Sequence, residues 1–87
     1  MVNRTSPGNE INLHRMTVDE ALLELDRYLN HAFVAGLHTV RVVHGKGTGT
    51  IRQASIKYMK NHPLVKSLRC AWPDEGGYGV TIADLSN

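Results

Sequence analysis

Residues 44–49, which read HGKGTG, have the side chains and spacing most suited to chemistry in this chain. Three glycines alternate with a lysine and a threonine after His44, and such a composition makes a poor core. Glycine adopts positive φ and permits close backbone approach, so this loop can turn several N–H groups toward an anion at the start of a helix. We therefore predict a phosphate site, for a free phosphate or one in a nucleic-acid backbone.

The side chains around this loop suit work on a phosphodiester. The imidazole of His44 titrates near neutral pH and can transfer a proton, and Lys46 can neutralise a phosphate oxygen. Backbone N–H groups can hold the charge that develops in the transition state, and Arg52 is a further candidate phosphate contact. The motif is not a nucleotide-binding P-loop, because Arg41 stands where the first glycine belongs and Gly47 follows the lysine.

The elements that must position the loop follow from the hydrophobic pattern, which predicts the order βαβαββ. The first helix begins with a capping box at Thr17 and Glu20, runs for about five turns and ends at Gly36. The second helix begins near residues 48–51 and ends before Pro63. The predicted strands cover residues 10–14, 38–44, 67–72 and 78–84, with a hairpin turn at 73–77.

The first two strands should bring two histidines together. A strand, helix, strand order implies parallel pairing through a right-handed crossover, so both strands end at the same edge of the sheet. His14 closes the first strand and His44 the second. Ligand sites of open α/β sheets lie beyond the carboxyl ends of parallel strands. We expect one site that contains both imidazoles and the glycine loop.

The remaining candidate residues have simpler interpretations. We interpret His31, His38 and His62 as surface residues because they lack the spacing of metal ligands. We expect Trp72 to be buried, whereas Tyr78 is left open for stacking on an unpaired base. Four acids of the first helix are interpreted as a solvated face: Asp19, Glu20, Glu24 and Asp26.

Length, charge and cysteine content limit the class of protein. A chain of 87 residues is long enough for one domain with a modest core, and its net charge of +2 is compatible with a polyanionic partner. Cys70 is the sole cysteine, which excludes an intramolecular disulfide and favours a cytoplasmic setting. No apolar run is long enough for a membrane span. We expect residues 1–9 to be a flexible lead-in and residues 10–87 to form the domain.

The order of these motifs resembles that of the Smr, or small MutS-related, domain. The resemblance covers nearly everything after residue 9, and the glycine motif is its most specific part. The ending EGGYGVTIADL is most similar to the C-terminal Smr domain of bacterial type-two MutS proteins. The matching segments are INLHR, TVDEAL, VVHGKGTGTIR, HPLVKS and EGGYGVTIADL.

The resemblance implies both a fold and a function. The fold would be a two-layer α/β sandwich with two helices on a four-stranded mixed sheet, like the C-terminal domain of the third translation initiation factor. The function would be DNA nicking with low sequence specificity, linked to DNA repair or recombination suppression, with RNA or the ribosome as the target in some relatives. The chain would be part of, or a partner to, a larger MutS-type protein. The residues that match the family's motifs are His14, His44, Gly45, Lys46, Gly47, Thr48 and Gly49.

Two departures from the family pattern leave the function open between cutting and binding. Asn12 replaces the usual acid, and asparagine can hydrogen-bond but cannot act as a carboxylate base or a strong ligand for a hard metal such as Mg²⁺. Arg15 replaces the usual glycine and adds a cation that favours backbone binding. Whether the domain uses a divalent cation such as Mg²⁺ is left undecided, and no residue is assigned as a metal ligand. The alternatives are a nicking endonuclease and a non-catalytic DNA- or RNA-binding module, with a protein-interaction domain as a third.

Overall fold

A computed structural model describes residues 9–45 and 49–86, which form two α-helices packed on one face of a four-stranded sheet. The α/β sandwich with the order βαβαββ is confirmed. The helices are α1 (Val18–Val34) and α2 (Thr50–Lys60), and the strands are β1 (Glu10–Asn12), β2 (Thr39–Val43), β3 (Val65–Cys70) and β4 (Val80–Leu85). The expected lead-in lies outside the described residues apart from Asn9. No helix in the described ranges is long and apolar enough to cross a membrane.

The sheet is mixed, with the strand order β1-β2-β4-β3. β1 pairs with β2 in parallel, with Ile11 opposite Val42, as the crossover rule requires. β4 lies antiparallel to both β2 and β3. A bulge between Val65 and Ser67 of β3 interrupts the pairing of β3 with β4. The carboxyl ends of β1 and β2 therefore share one edge of the sheet.

The core lies between the helices and the inner face of the sheet. The capping box starts α1, with the Thr17 N–H donating to the Glu20 carboxylate at 2.9 Å, and Gly36 follows the helix at φ +81°. α2 buries Ser55 and Met59. The apolar positions of α1 recur at helical spacing and meet side chains of β2 and β4: Ala21, Leu25, Leu29, Ala32, Val40, Val42, Ala83 and Leu85.

The chain between β3 and β4 folds back over the outer face of the sheet. Two short 3₁₀ helices, Pro73–Glu75 and Gly77–Gly79, replace the predicted hairpin turn. Arg41 on β2 reaches this chain, since its Nη2 donates to the Glu75 carbonyl at 2.6 Å. The predicted strand 67–72 is displaced toward the N-terminus, because the Trp72 N–H leaves the sheet and donates to the Glu75 carboxylate at 3.0 Å.

Asp26 connects α1 to α2 and to the turn after it. Its carboxylate accepts hydrogen bonds from the Tyr58 hydroxyl at 2.8 Å and from Nε2 of His62 at 2.9 Å. Nδ1 of His62 accepts the Leu64 N–H at 3.1 Å, so the neutral ring carries its proton on Nε2. The interpretation of His62 as a surface residue is wrong, because its side chain is only 7% exposed.

This cluster predicts a pH dependence of stability. The hydrogen bonds from His62 and Tyr58 lower the pKa of Asp26 below its ordinary value of 3.8. A group with a lowered native pKa stabilises the fold above its unfolded pKa, and this stabilisation is lost as the pH falls through the native value. We expect the free energy of unfolding, measured by urea titration, to fall more steeply below pH 3.8 in the wild type than in Asp26→Asn.

The matched control for this measurement is Asp19→Asn, which removes an exposed acid from the same helix. It should keep the acid slope of the wild type. Parallel curves for the wild type and Asp26→Asn would contradict the prediction.

Candidate functional site

The parallel pairing of β1 and β2 places His14 against the start of the glycine loop. A Cβ atom added to Gly45 would lie 2.6 Å from Nε2 and 2.8 Å from Cδ2 of His14, so the imidazole occupies space that only glycine leaves free. Gly45 also has a φ of +82°, which favours glycine independently. The structure thus brings together His14, which is exposed, and His44, which is buried.

Asn12 ends β1 and orients the chain that carries His14. Its Oδ1 accepts the His14 N–H at 2.8 Å, which forms an Asx turn. The strand is therefore shorter than the predicted 10–14, and His14 lies in the turn beyond it. An aspartate could accept the same hydrogen bond, so Asn12 retains the turn and removes only the negative charge.

Arg15 follows this turn in a strained backbone conformation. At φ +64° it is the one non-glycine residue with positive φ in the described part of the chain. Left-handed backbone costs an L-residue about 1–2 kcal/mol relative to the right-handed form, and glycine is spared this cost. The exposed guanidinium thus stands at the sheet edge on a backbone suited to glycine.

His44 is buried, with 5% of its surface exposed, and both ring nitrogens are hydrogen-bonded. Nδ1 lies 3.0 Å from the Gly45 carbonyl, which can only accept, and Nε2 lies 2.8 Å from the Thr81 hydroxyl. The neutral ring therefore carries its proton on Nδ1 and accepts from Thr81 at Nε2. Burial lowers the pKa of His44, and the positive charge of Arg52 lowers it further.

The backbone after β2 is tied to the chain that enters β4. The N–H groups of His44 and Gly45 both donate to the Gly79 carbonyl, at 3.1 and 3.0 Å. Together with the bond from the His44 ring to Thr81, they fix the point at which the loop leaves the sheet. The loop continues through Lys46, Gly47 and Thr48, three predicted site residues that lie outside the described residues.

The loop ends at the N-terminus of α2. Gly49 is the N-cap residue at φ +85°, and a glycine has no side chain with which to cap the helix. The first turn of α2 contains no acidic residue, so no carboxylate of that turn offsets the positive end of the helix dipole. This geometry suits an anion.

Arg52 lies in the first turn of α2 and contacts Tyr78. Its guanidinium carbon is 4.1 Å from the ring centroid, a cation–π contact. Arg52, predicted as a candidate phosphate contact, is half-buried. The ring of Tyr78 holds this cation near the start of α2.

Two residues that shape the site have no signal in the sequence. Thr81 and Gly79 hold the end of β2, but they stand more than thirty positions after His44, and no local pattern signals such contacts. The expectation that Trp72 is buried is wrong, because it is 64% exposed. Its neighbours Pro73 and Asp74 form a turn, a local signal that could have pointed to exposure.

The described residues supply few ligands for a divalent cation at this edge of the sheet. Across residues 9–45 and 49–86, no group of three His, Cys, Asp or Glu side chains is arranged to hold a metal ion. At the sheet edge Asn12 supplies an amide where hard cations such as Mg²⁺ prefer carboxylates. The described polar groups at this edge include imidazoles, a guanidinium group and backbone amides.

The fold and site define a class: a small two-layer α/β domain whose polar groups gather beyond the carboxyl ends of two parallel strands. Residues 11–86 match the family model described as Smr domain. Since the match covers most of the chain, this protein belongs to the Smr domain family.

Solved structures agree with this assignment. The Smr domain of Thermus thermophilus MutS2 has a TM-score of 0.89 and 46% sequence identity, over 91% of this chain and 99% of that domain. YdaL, a stand-alone small MutS-related protein from Escherichia coli, has a TM-score of 0.83 and 25% identity, over 91% of this chain and 65% of YdaL. The fold thus occurs both within MutS2 and by itself.

The curated relatives are much longer proteins. Endonuclease MutS2 of Thermomicrobium roseum is 59% identical over 76 residues, which make up 87% of this chain and 10% of that protein. Endonuclease MutS2 of Lachnospira eligens is 49% identical over 78 residues, 90% of this chain and again 10% of the relative. The chain therefore matches one domain of these longer relatives and spans about a tenth of their length.

Two glycines of the loop make a matched test of the contact with His14. Alanine at either position adopts a left-handed φ, so Gly45→Ala and Gly49→Ala should each lose about 1 kcal/mol of stability. A Cβ at position 45 overlaps the His14 ring, whereas at position 49 it meets nothing within 4 Å. We expect the NMR signals of the His14 imidazole to move in Gly45→Ala and to stay in place in Gly49→Ala. Unmoved signals in Gly45→Ala would refute the packing of this ring on the loop.

The strain at Arg15 can be measured by comparing two substitutions that both remove the guanidinium. Arg15→Gly should be more stable than Arg15→Ala by about 1 kcal/mol, or roughly 4–8 °C in Tm, because only glycine accepts the left-handed backbone freely. Thermal unfolding followed by circular dichroism measures the difference. A higher Tm for Arg15→Ala than for Arg15→Gly, the order that is usual in helices, would show that the backbone at position 15 is not strained.

Proposed function

We propose that this Smr domain binds nucleic-acid phosphates at the shared edge of β1 and β2 and nicks DNA with little sequence specificity. The observation that carries the proposal is the exposed His14 ring packed on Gly45, in the loop that leads to the N-terminus of α2. The proposal is supported by the relatives named endonuclease MutS2. In a MutS-type protein such nicking would serve DNA repair or recombination suppression in the cytoplasm.

The two histidines have different roles in this proposal. Hydrolysis adds a water oxygen to phosphorus, breaks one P–O bond to the sugar, and moves a proton from the water to the leaving oxygen. The exposed ring of His14 is available to carry that proton. Proton transfer was predicted for His44, but both of its ring nitrogens are engaged and burial lowers its pKa. His44 is therefore a positioning residue that holds Gly45 beneath His14.

Cations and amides would bind the phosphate. The N-terminus of α2 offers backbone N–H groups and a positive dipole, and Arg52 stands in its first turn. Arg15 brings a second guanidinium to the same edge, which explains why a charged side chain occupies a strained position. We propose that Lys46, Gly47 and Thr48 complete this anion site.

A second function, binding without cleavage, is favoured by one specific observation. Asn12 keeps the turn that presents His14 but lacks the negative charge of the family's usual acid. If cleavage needs that charge, the same edge would bind DNA, RNA or a ribosomal RNA surface without cutting it. Such a module would position the rest of a larger MutS-type protein.

A plasmid-nicking assay tests the first function and separates it from the second. His14→Ala should reduce the nicking rate by about 100-fold, within the range that general acid–base catalysis contributes, and should leave stability unchanged because the ring is exposed. His44→Ala should reduce both nicking and stability, since it removes a buried, doubly hydrogen-bonded ring. Asn12→Asp should keep the turn and increase nicking if the missing charge limits this domain.

The matched control is His38→Ala, an exposed histidine at the opposite end of β2. It should nick like the wild type. Full activity in His14→Ala would remove that residue from the mechanism. DNA or RNA binding without nicking in the presence of several divalent cations, with affinity that falls steeply with salt, would select the second function.

A further inference from the structure

Two aromatic side chains stand exposed in residues 72–79, between β3 and β4. Trp72 is 64% exposed and Tyr78 is 54% exposed. Aromatic rings are normally the largest contributors to a core, so two exposed rings in one short segment of a small domain make that segment a candidate contact surface. We call these two side chains the aromatic pair.

Each ring of the aromatic pair is supported by an arginine. The guanidinium of Arg52 lies 4.1 Å from the centroid of Tyr78, and that of Arg69 lies 5.8 Å from the centroid of Trp72. Arg69 is itself held by the Glu75 carboxylate, through contacts of 2.9 and 3.2 Å from its two terminal nitrogens. The rings are therefore held in place while more than half of each remains open to solvent.

The aromatic pair belongs to the same hydrogen-bonded unit as the candidate phosphate site. The Gly77 N–H donates to the Trp72 carbonyl at 3.0 Å, which closes the turn between the two rings. The residue after Tyr78 is Gly79, whose carbonyl accepts the N–H groups of His44 and Gly45. Tyr78 thus lies one residue before the carbonyl that anchors Gly45, and the turn at Gly77 joins Trp72 to the same segment.

The charges around the aromatic pair suit a nucleotide. Arg52 and Arg69 contribute two cations that also contact the rings. The acid nearest to Trp72 is Glu75, and its carboxylate is paired with Arg69, whose hydrogen bond is the main cause of its lowered pKa. The other acid of this turn, Asp74, is exposed and lies at the rim. The surface therefore presents aromatic faces among positive charges, the combination that single-stranded nucleic acids require.

We infer that Trp72 and Tyr78 stack on unpaired bases of the strand whose phosphate is bound at the shared edge of β1 and β2, so that the domain selects single-stranded or locally unpaired nucleotides over intact duplex. In a duplex each base face is covered by its neighbours, and only an unpaired base offers a face to a protein ring. This inference rests on the proposed phosphate site. DNA and RNA share the required chemistry, because both have bases that stack.

Fluorescence anisotropy of labelled oligonucleotides tests the inference. The probes are single-stranded oligo-dT, single-stranded oligo-rU and a blunt DNA duplex of equal total charge. Trp72→Ala and Tyr78→Ala should each weaken single-strand binding by at least roughly fivefold, the lower end of what one stacked base contributes. Trp72→Ala should also leave duplex binding within about twofold of wild type, since duplex binding depends on phosphate contacts alone. Tyr78→Ala does not serve for this comparison, because the Tyr78 ring contacts Arg52. Trp72→Phe and Tyr78→Phe keep a ring and are the matched controls.

A second readout uses the fact that Trp72 is the only tryptophan of the chain. Oligo-dT should quench its fluorescence by stacking, whereas inorganic tripolyphosphate, which supplies charge without bases, should not. This measurement uses the wild-type protein, so it remains decisive even if Tyr78→Ala also releases Arg52 and weakens binding to all three oligonucleotides. The ratio of oligo-dT to oligo-rU affinity identifies the preferred nucleic acid.

Three results would overturn the inference. Unchanged single-strand affinity in both alanine variants, or equal losses on single strand and duplex for Trp72→Ala, would reject stacking while leaving the phosphate site in place. Absence of binding to all three probes by the wild-type protein would instead reject the proposed function, and the stacking role with it.

Discussion

The candidate site depends on how the end of β2 is held. The parallel partner β1 lies on one side of β2 and the antiparallel partner β4 on the other. Beyond the last strand residue, two backbone N–H groups converge on the Gly79 carbonyl and the buried His44 ring reaches Thr81. These contacts fix the direction in which Gly45 leaves the sheet, and the His14 ring then packs where Gly45 has no side chain.

This constraint separates two histidines that look equivalent in the sequence. A buried imidazole with both nitrogens bonded is stable in its neutral form and suited to holding a loop. The exposed imidazole at the same edge is accessible to a ligand or to water. Because the Asx turn at Asn12 sets the position of His14, the usual acid of the family could act in two ways, through the turn or through its charge. In this chain only the turn remains.

The outer face of the sheet links the site to the aromatic pair. Arg41 on β2 and Arg69 on β3 both bind Glu75, one at its carbonyl and one at its carboxylate. They hold the chain between β3 and β4 against the sheet, with Gly79 at its end. This hydrogen bond and this ion pair hold the segment that carries Trp72 and Tyr78, and the segment ends at the Gly79 carbonyl, which accepts the N–H groups of His44 and Gly45. Residues far apart in sequence thus belong to one supported surface.

Much of the fold was predictable because its signals are local. Apolar spacing in α1, the capping box at Thr17 and the β-branched run of β2 each act within a few residues, and together they predict the βαβαββ order and the edge at which the histidines meet. Strand ends were less predictable. β1 and β3 end early because Asn12 and Glu75 draw backbone N–H groups into turns.

The sequence by itself determined the element order, the glycine loop and the family, since each depends on the types and spacing of residues that are close together in the chain. Only the tertiary structure decided which histidine is buried, that His62 bonds to Asp26, and that Trp72 is exposed. The physical reason is that burial and hydrogen bonding at these residues arise between partners such as His44 and Thr81, 37 positions apart. Such partners meet only when the helices and the sheet have packed.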